Sequence, residues 1–149
     1  MVLEHNDRLV RVGVTSSEAS GTYAVEDAFE LEMPTRVLGL DEASEWLVMI
    51  ADNEGVDHPV VSQMAMSRSL QGLAFVDDWC ISVRKKKMSQ LLLVHEMAHL
   101  VCANGGHGRE FRTQVVTFVR RYVSLAHAVR LHEMYVAAGL SVEPFAATA

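Results

Sequence analysis

His95, Glu96 and His99 lie close enough in the chain to act on one ion, and their spacing defines what they could do. Two histidines four residues apart on an α-helix are offset by about 40° around its axis. Both rings therefore leave the same face at the separation that two ligands of one zinc ion require. Glu96 stands beside them. It is too near His95 in the chain to complete a relaxed tetrahedron, yet well placed to touch a water in an open metal position. This is the H-E-x-x-H arrangement. Chance supplies it in roughly one sequence in forty of this composition, so the surrounding residues have to add weight.

They do. In Leu91-Leu92-Leu93-Val94-His95-Glu96-Met97-Ala98-His99-Leu100-Val101, nearly every other residue is apolar. A helix apolar all round is a buried one. Two imidazoles and a carboxylate inside it need compensation, since an unpaired buried charge costs several kcal/mol. A hydrogen-bonded structural cluster is the bland solution and a metal ion the chemical one. A catalytic zinc takes three protein ligands and leaves one position open, so a third ligand should follow once the chain has turned back. The turn Asn104-Gly105-Gly106 leads to His107, the expected third ligand, at the start of a following helix that Phe111 anchors in the core. Glu110 is its rival, because glutamate from a following helix serves in many zinc hydrolases.

The stretch VHEMAHLVCANGGHGREF resembles the active-site segment of the minimal zincins, in particular the SprT-like and WLM-type peptidases. There H-E-x-x-H is followed, after a short loop, by a third histidine and then a phenylalanine. It is also similar to a group of short metallohydrolases of actinobacteria and their phages, in which a similar histidine-glycine follows. The resemblance covers about eighteen residues closely; the order of strands then two helices over Val60 to Tyr122 agrees more weakly. It implies a zinc peptidase fold with His95, His99 and His107 as ligands and Glu96 as general base. The metzincin variant would need glycine at position 102 and histidine at 105, where this chain has Cys102 and Gly105. Some SprT-like proteins also carry a zinc ribbon, for which Cys80 and Cys102 are too few.

Positioning those residues falls to the rest of the chain, expected to be α+β, with a small antiparallel sheet of about three strands packed on helices in a zincin-like fold and the zinc site on a buried helix. A helix is expected around Tyr23 to Leu31, ending before Pro34. Asp41 is a candidate N-cap for a second helix running to about Asn53, with Trp46, Leu47 and Ile50 as its apolar stripe and Gly55 as its stop. Three β-type runs follow, VVSQMAM, GLAFV and WCISV, the last two as a hairpin. After the basic turn Arg84 to Lys87 the pattern is helical from about Met88 to Ala103. It is helical again from near His107, where Phe111, Val115, Phe118, Val119 and Tyr122 make one buried face. A break near Ser124 and a further helix to about Ala138, before Gly139, complete the expectation.

With 149 residues, half of them hydrophobic, the chain suits a single domain spanning 1–149 that can bury a core without staples. A net charge of −6 offers no general footprint for nucleic acid or an anionic membrane, so nucleic acid is not the expected partner despite Arg84-Lys85-Lys86-Lys87. That run is read as a solvated turn. Cys80 and Cys102 are expected to be small buried hydrophobes rather than a disulfide framework. No apolar run of signal-peptide or membrane-span length is seen, and a cytoplasmic location is the expectation, in the host cell if the gene is a phage's. His5 and His58 are expected at the surface, and His132-Glu133 begins no second motif, since position 136 is Val. His127, His132, Tyr122 and Tyr135 are the candidates for stabilising a tetrahedral intermediate, with nothing to choose among them.

The expected activity is zinc-dependent hydrolysis of a peptide or protein substrate. Zinc brings its water to a pKa of about 7, Glu96 takes the proton, and hydroxide attacks the polarised carbonyl. The hairpin before the helix would offer an edge strand for an extended peptide. Two other readings stand beside it. One is a zinc hydrolase acting on a nucleotide or other small molecule. The other is a non-catalytic zinc-binding protein, whose site Glu110 or Cys102 would close as a fourth ligand.

Overall fold

The structure is a computed structural model and describes residues 16–103 and 105–145, so the expectation for His5 and the part of the helix-ending turn at Asn104 lie outside it. Among the described residues the chain runs through α1 (Ser16–Glu32), β1 (Val37–Gly39), α2 (Leu40–Glu54), β2 (Val60–Gln63), β3 (Gly72–Phe75), β4 (Cys80–Val83), β5 (Lys87–Ser89), α3 (Gln90–Cys102), α4 (Arg109–Tyr122) and α5 (Leu125–Ala137). The class is α+β. No helix among these residues is long and apolar enough to cross a membrane.

The strands depart from the expected antiparallel sheet. β3 and β4 form the hairpin, pairing antiparallel from Gly72↔Val83 to Phe75↔Cys80, but β2 lies on the other side of β4 and parallel to it, Val60↔Cys80 through Gln63↔Val83. The order is β2-β4-β3, a mixed sheet. The cause is the connection over residues 64–71, long enough to carry the chain past the place that β4 will fill instead of turning tightly. A separate two-stranded ribbon pairs β1 with β5 antiparallel, Leu38 opposite Met88. It takes Lys87 and Met88 out of the turn and helix to which their sequence context assigns them.

α3 occupies the centre. Every residue from Leu93 to Leu100 is buried, against α2 and α4 and against β3, β4 and β5. Its first turn is tied down donor by donor. Gln90 N–H donates to the Arg36 carbonyl at 2.9 Å, Leu91 N–H to Thr35 Oγ1 at 3.1 Å, and Leu92 N–H to the N-cap Ser89 Oγ at 3.1 Å. Three donors that a helix leaves open are thereby satisfied, which fixes both the start of α3 and the direction of its histidines. At its other end Ala103, with φ 54°, takes the left-handed position expected of the Asn-Gly-Gly turn.

α2 begins two residues earlier than expected. Its N-cap is Gly39, whose N–H donates to Glu42 Oε1 at 3.3 Å, so Asp41 lies within the first turn, where its charge favours the helix dipole. Gly55, φ 69°, stops it. Leu47 and Ile50 are fully buried with Ala43, and Trp46 is half-buried. In α4, Phe111, Val115, Phe118 and Val119 are buried as their spacing requires, with Tyr122 packed at the margin. Ser124 separates α4 from α5 by capping the latter, its Oγ accepting from His127 N–H at 3.0 Å. α1 packs on α5, which brings the earliest described helix against the last.

Candidate metal centre

His95 and His99 project from one face of α3, as their spacing dictates, and the loop after α3 brings His107 to them. His107 precedes α4 by two residues rather than opening it, because Gly108 is the cap. Its Nε2 lies 3.3 Å from His95 Nε2 and 3.2 Å from His99 Nε2. All three rings are buried, and Phe111 lies beneath them, its centroid 4.2 Å from that of His99 in a stacked arrangement.

Two ligands held 2.0–2.1 Å from a tetrahedral ion stand about 3.3 Å apart, the separation of these nitrogens. Protonation decides whether they meet as ligands. His95 Nδ1 lies 2.6 Å from Glu26 Oε1, so this nitrogen carries the proton that the carboxylate accepts, and Nε2 is the nitrogen left to face the other two rings and to become a ligand on losing its own proton. Three imidazole nitrogens brought to this spacing in a buried space either share protons or, once deprotonated, turn their lone pairs on one cation. The residues present therefore fit a metal ion.

Glu96 is buried beside the cluster. Gly72 of β3 lets it sit there: a Cβ on that residue would stand 3.3 Å from both Glu96 Cγ and Oε2. Burial pushes the Glu96 carboxyl up to about 7, with His95 opposing and Glu26 reinforcing the shift. Burial alone would lower His95, but the Glu26 carboxylate outweighs it and raises the imidazole to about 9. His107 is pushed down to about 3, by burial first and by the positive charges of His95 and Arg112 after it. In the metal-free protein at neutral pH, His95 is therefore a cation beside the Glu26 carboxylate, and His107 is a neutral imidazole.

The expected rival ligand is not brought in. Glu110 is exposed in the first turn of α4, on a surface groove with Arg109, Thr113, Gln114 and Glu143. Cys102 is half-buried at the end of α3, its thiol pushed up to about 11 by burial and by Glu110, and Cys80 is also half-buried rather than buried. The group able to hold a metal, among the described residues, is the three histidines.

α1 supplies what the motif alone does not reveal. Besides Glu26, it places Tyr23 over the cluster, stacked on His95 at 5.3 Å between centroids and tilted against His107 at 4.9 Å, with 41 % of the residue still exposed. Burial and the nearby Glu96 and Glu26 carboxylates raise its phenol. Thr22 Oγ1 donates to the His107 carbonyl at 3.3 Å. Arg112, fully buried in α4, donates to that same carbonyl and also to Thr22 Oγ1 at 3.2 Å, Glu18 Oε1 at 3.0 Å and the Ser141 carbonyl at 2.9 Å. Glu18, Thr22 and Glu26 recur every fourth residue, one face of α1. That spacing of polar residues on a helix against the core is the one sequence signal that could have found them.

Of the four residues proposed to stabilise an intermediate, Tyr122 donates to Glu54 on α2, His127 bonds Ser124 Oγ at 2.6 Å, and His132 Nε2 donates to the Glu143 carbonyl at 2.8 Å. Tyr135 approaches the histidines through Glu26, to which its hydroxyl donates at 2.9 Å. His58 is exposed, as expected, with Asp52 at 2.7 Å. Arg84 is not a free charge of a basic turn: it is half-buried and its Nε donates to the Leu70 carbonyl at 2.9 Å, holding the loop before β3 against the site. Lys85, Lys86 and Lys87 are exposed.

The fold and site together define an α+β protein with a buried three-histidine group that can hold a metal ion. No protein-family model matches the chain, and no curated protein or solved structure is similar enough to count as a match.

Proposed function

We propose that the chain is a zinc-dependent hydrolase, a metallopeptidase of minimal zincin type, with His95, His99 and His107 as ligands and Glu96 as general base. The observation that carries this reading is the convergence of three imidazole nitrogens at 3.2 and 3.3 Å in a buried space that also holds Glu96 but not a fourth ligand among the described residues.

A zinc ion bound there supplies Lewis acidity, lowering the pKa of water towards 7 and polarising a carbonyl. The remaining work belongs to the chain. Glu96, buried beside the rings, is suited to take a proton from the attacking water and return it to the leaving amine. Tyr23, over the rings and partly exposed, is the side chain suited to donate a hydrogen bond to the oxygen on which charge develops, in place of Tyr122, His127, His132 and Tyr135. The substrate carbonyl enters beside Gly72, where a cavity of about 90 Å³, lined by Tyr23, Leu70, Leu91, Leu92 and Glu96, takes an adjoining apolar side chain.

The test is Glu96→Gln in the zinc-loaded protein, assayed on casein-derived peptides and on a nucleotide panel. Expected are peptide turnover by the wild type and its loss in the variant, with zinc content and melting temperature unchanged. Turnover confined to nucleotides would transfer the same machinery to a small-molecule substrate. Tightly held zinc with no turnover on either panel would make the chain a non-catalytic zinc protein.

A further inference from the structure

Glu26 is almost fully buried, and both of its oxygens are engaged: Oε1 by His95 Nδ1 at 2.6 Å and Oε2 by the hydroxyl of the fully buried Tyr135 at 2.9 Å. These contacts join three helices, α5 to α1 to α3, across 109 and 69 residues of sequence. Two bonds to a single carboxylate fix the plane of the group. The first bond then fixes the imidazole, selecting the tautomer with the proton on Nδ1 and aiming Nε2 at the position shared with His99 and His107. A carboxylate held from one side only could swing about its last torsion and take the ring with it.

We propose that Glu26 and Tyr135 are positioning residues of the metal centre, acting through His95 and setting the affinity and geometry of the bound ion. His95 has a buried carboxylate behind it, and Tyr135 orients that carboxylate. The helix carrying Glu26 also reaches His107 through Thr22, so one face of α1 prearranges two of the three ligands. The inference rests on the reading of the three histidines as a metal site and is independent of whether the protein is a peptidase.

The experiment uses the full chain stripped of metal and titrated with Zn²⁺ against a chromogenic chelator. In parallel, Co²⁺ serves as a probe whose visible absorption reports ligand geometry. The variants are Glu26→Ala, Glu26→Gln and Tyr135→Phe, each checked for folding by circular dichroism without metal. Removing a carboxylate behind a metal-bound histidine is expected to weaken Zn²⁺ binding by about 10–100-fold in Glu26→Ala. Glu26→Gln keeps an acceptor oxygen and should fall between it and the wild type. Tyr135→Phe, which deletes one oxygen, should fold even if the Glu26 variants do not, weaken binding several-fold and shift the Co²⁺ bands. Folded variants with wild-type Zn²⁺ affinity and an unchanged Co²⁺ spectrum would reduce Glu26 and Tyr135 to structural partners and overturn the proposal. A wild type that binds neither ion would overturn this proposal and the metal reading together.

Discussion

One methyl group tests whether Glu96 works by its position. In Gly72→Ala the new Cβ would meet Glu96 Cγ, Glu96 Oε2 and the Ser82 carbonyl oxygen, all at 3.3 Å. Carbon atoms settle at about 3.5–4.0 Å, so the shortfall is a few tenths of an ångström. The Ser82 carbonyl belongs to β4, paired with β3 through Leu73↔Ser82, and retreats only if the ladder yields. The carboxylate, at the end of a flexible side chain, gives way instead, by about half an ångström. A displacement of 1 Å at a reacting group lowers the rate about 100-fold, so half of that predicts a fall in kcat of about 10-fold. Overpacking should cost about 1 kcal/mol of stability. The three histidines lie elsewhere, and zinc per chain should stay at the wild-type value. The assay is kcat on the best peptide substrate, with metal content and thermal melting on the same preparation. Wild-type kcat would refute the claim that Gly72 makes room for a working Glu96, and loss of zinc would mean that Glu96 helps to hold the metal.

His107→Ala should lose zinc on dialysis and all turnover, whereas Glu110→Ala should keep both; the reverse would replace the third histidine by glutamate. Zinc affinity should rise with pH. His95 is raised from 6.5 to about 9 without metal, so binding below pH 9 must displace its proton, and Kd should fall about 10-fold per unit from pH 7 to 9 and then level off. His107, pushed down to about 3, adds nothing to that slope. The same shift stabilises the metal-free fold fully below pH 6.5 and is lost as pH rises through 9, so apo melting temperature should fall across that interval while affinity rises. A flat affinity profile would contradict the protonated His95–Glu26 pair. Arg112→Met should destabilise the fold by about 3 kcal/mol, because it removes a buried cation hydrogen-bonded to four partners, and should weaken metal binding through the His107 carbonyl; chemical denaturation and zinc titration measure the two effects.

The later helices and the motif were legible because their signals are local, whereas α1, Ser16–Glu32, was expected only from about Tyr23 to Leu31. The apolar surroundings of His95 and His99, the period from Phe111 to Val119 and the break at Ser124 each lie within a few turns of one helix. β1 and β5 were not legible, since three residues are too few to show an alternation. Nor was the parallel pairing of β2, since pairing is decided by where a connection leads and not by what a strand contains. At the site, sequence spacing shared by His95, Glu96, His99 and His107 was enough to bring them into view. Glu26, Tyr23, Arg112 and Tyr135 act across the fold from other helices, and apart from the four-residue spacing of Glu18, Thr22 and Glu26 nothing near them in the chain distinguishes them from ordinary helix residues. Arg84 was misjudged because a run of basic residues hides the one that turns inward.

The hydrogen bonds of Arg112 also set an order in time. They reach back to Glu18 and Thr22 and forward to Ser141, while Tyr135 completes the brace on Glu26. A ribosome adding about 5–20 residues per second makes His107 and only then, several seconds later, the residue whose carbonyl finishes the clamp. During that interval the growing polypeptide exposes imidazoles with incomplete support. On the reading of the three histidines as a metal site, its support is complete only after α5 has docked, and ion selection would belong to the finished molecule and not to the nascent one.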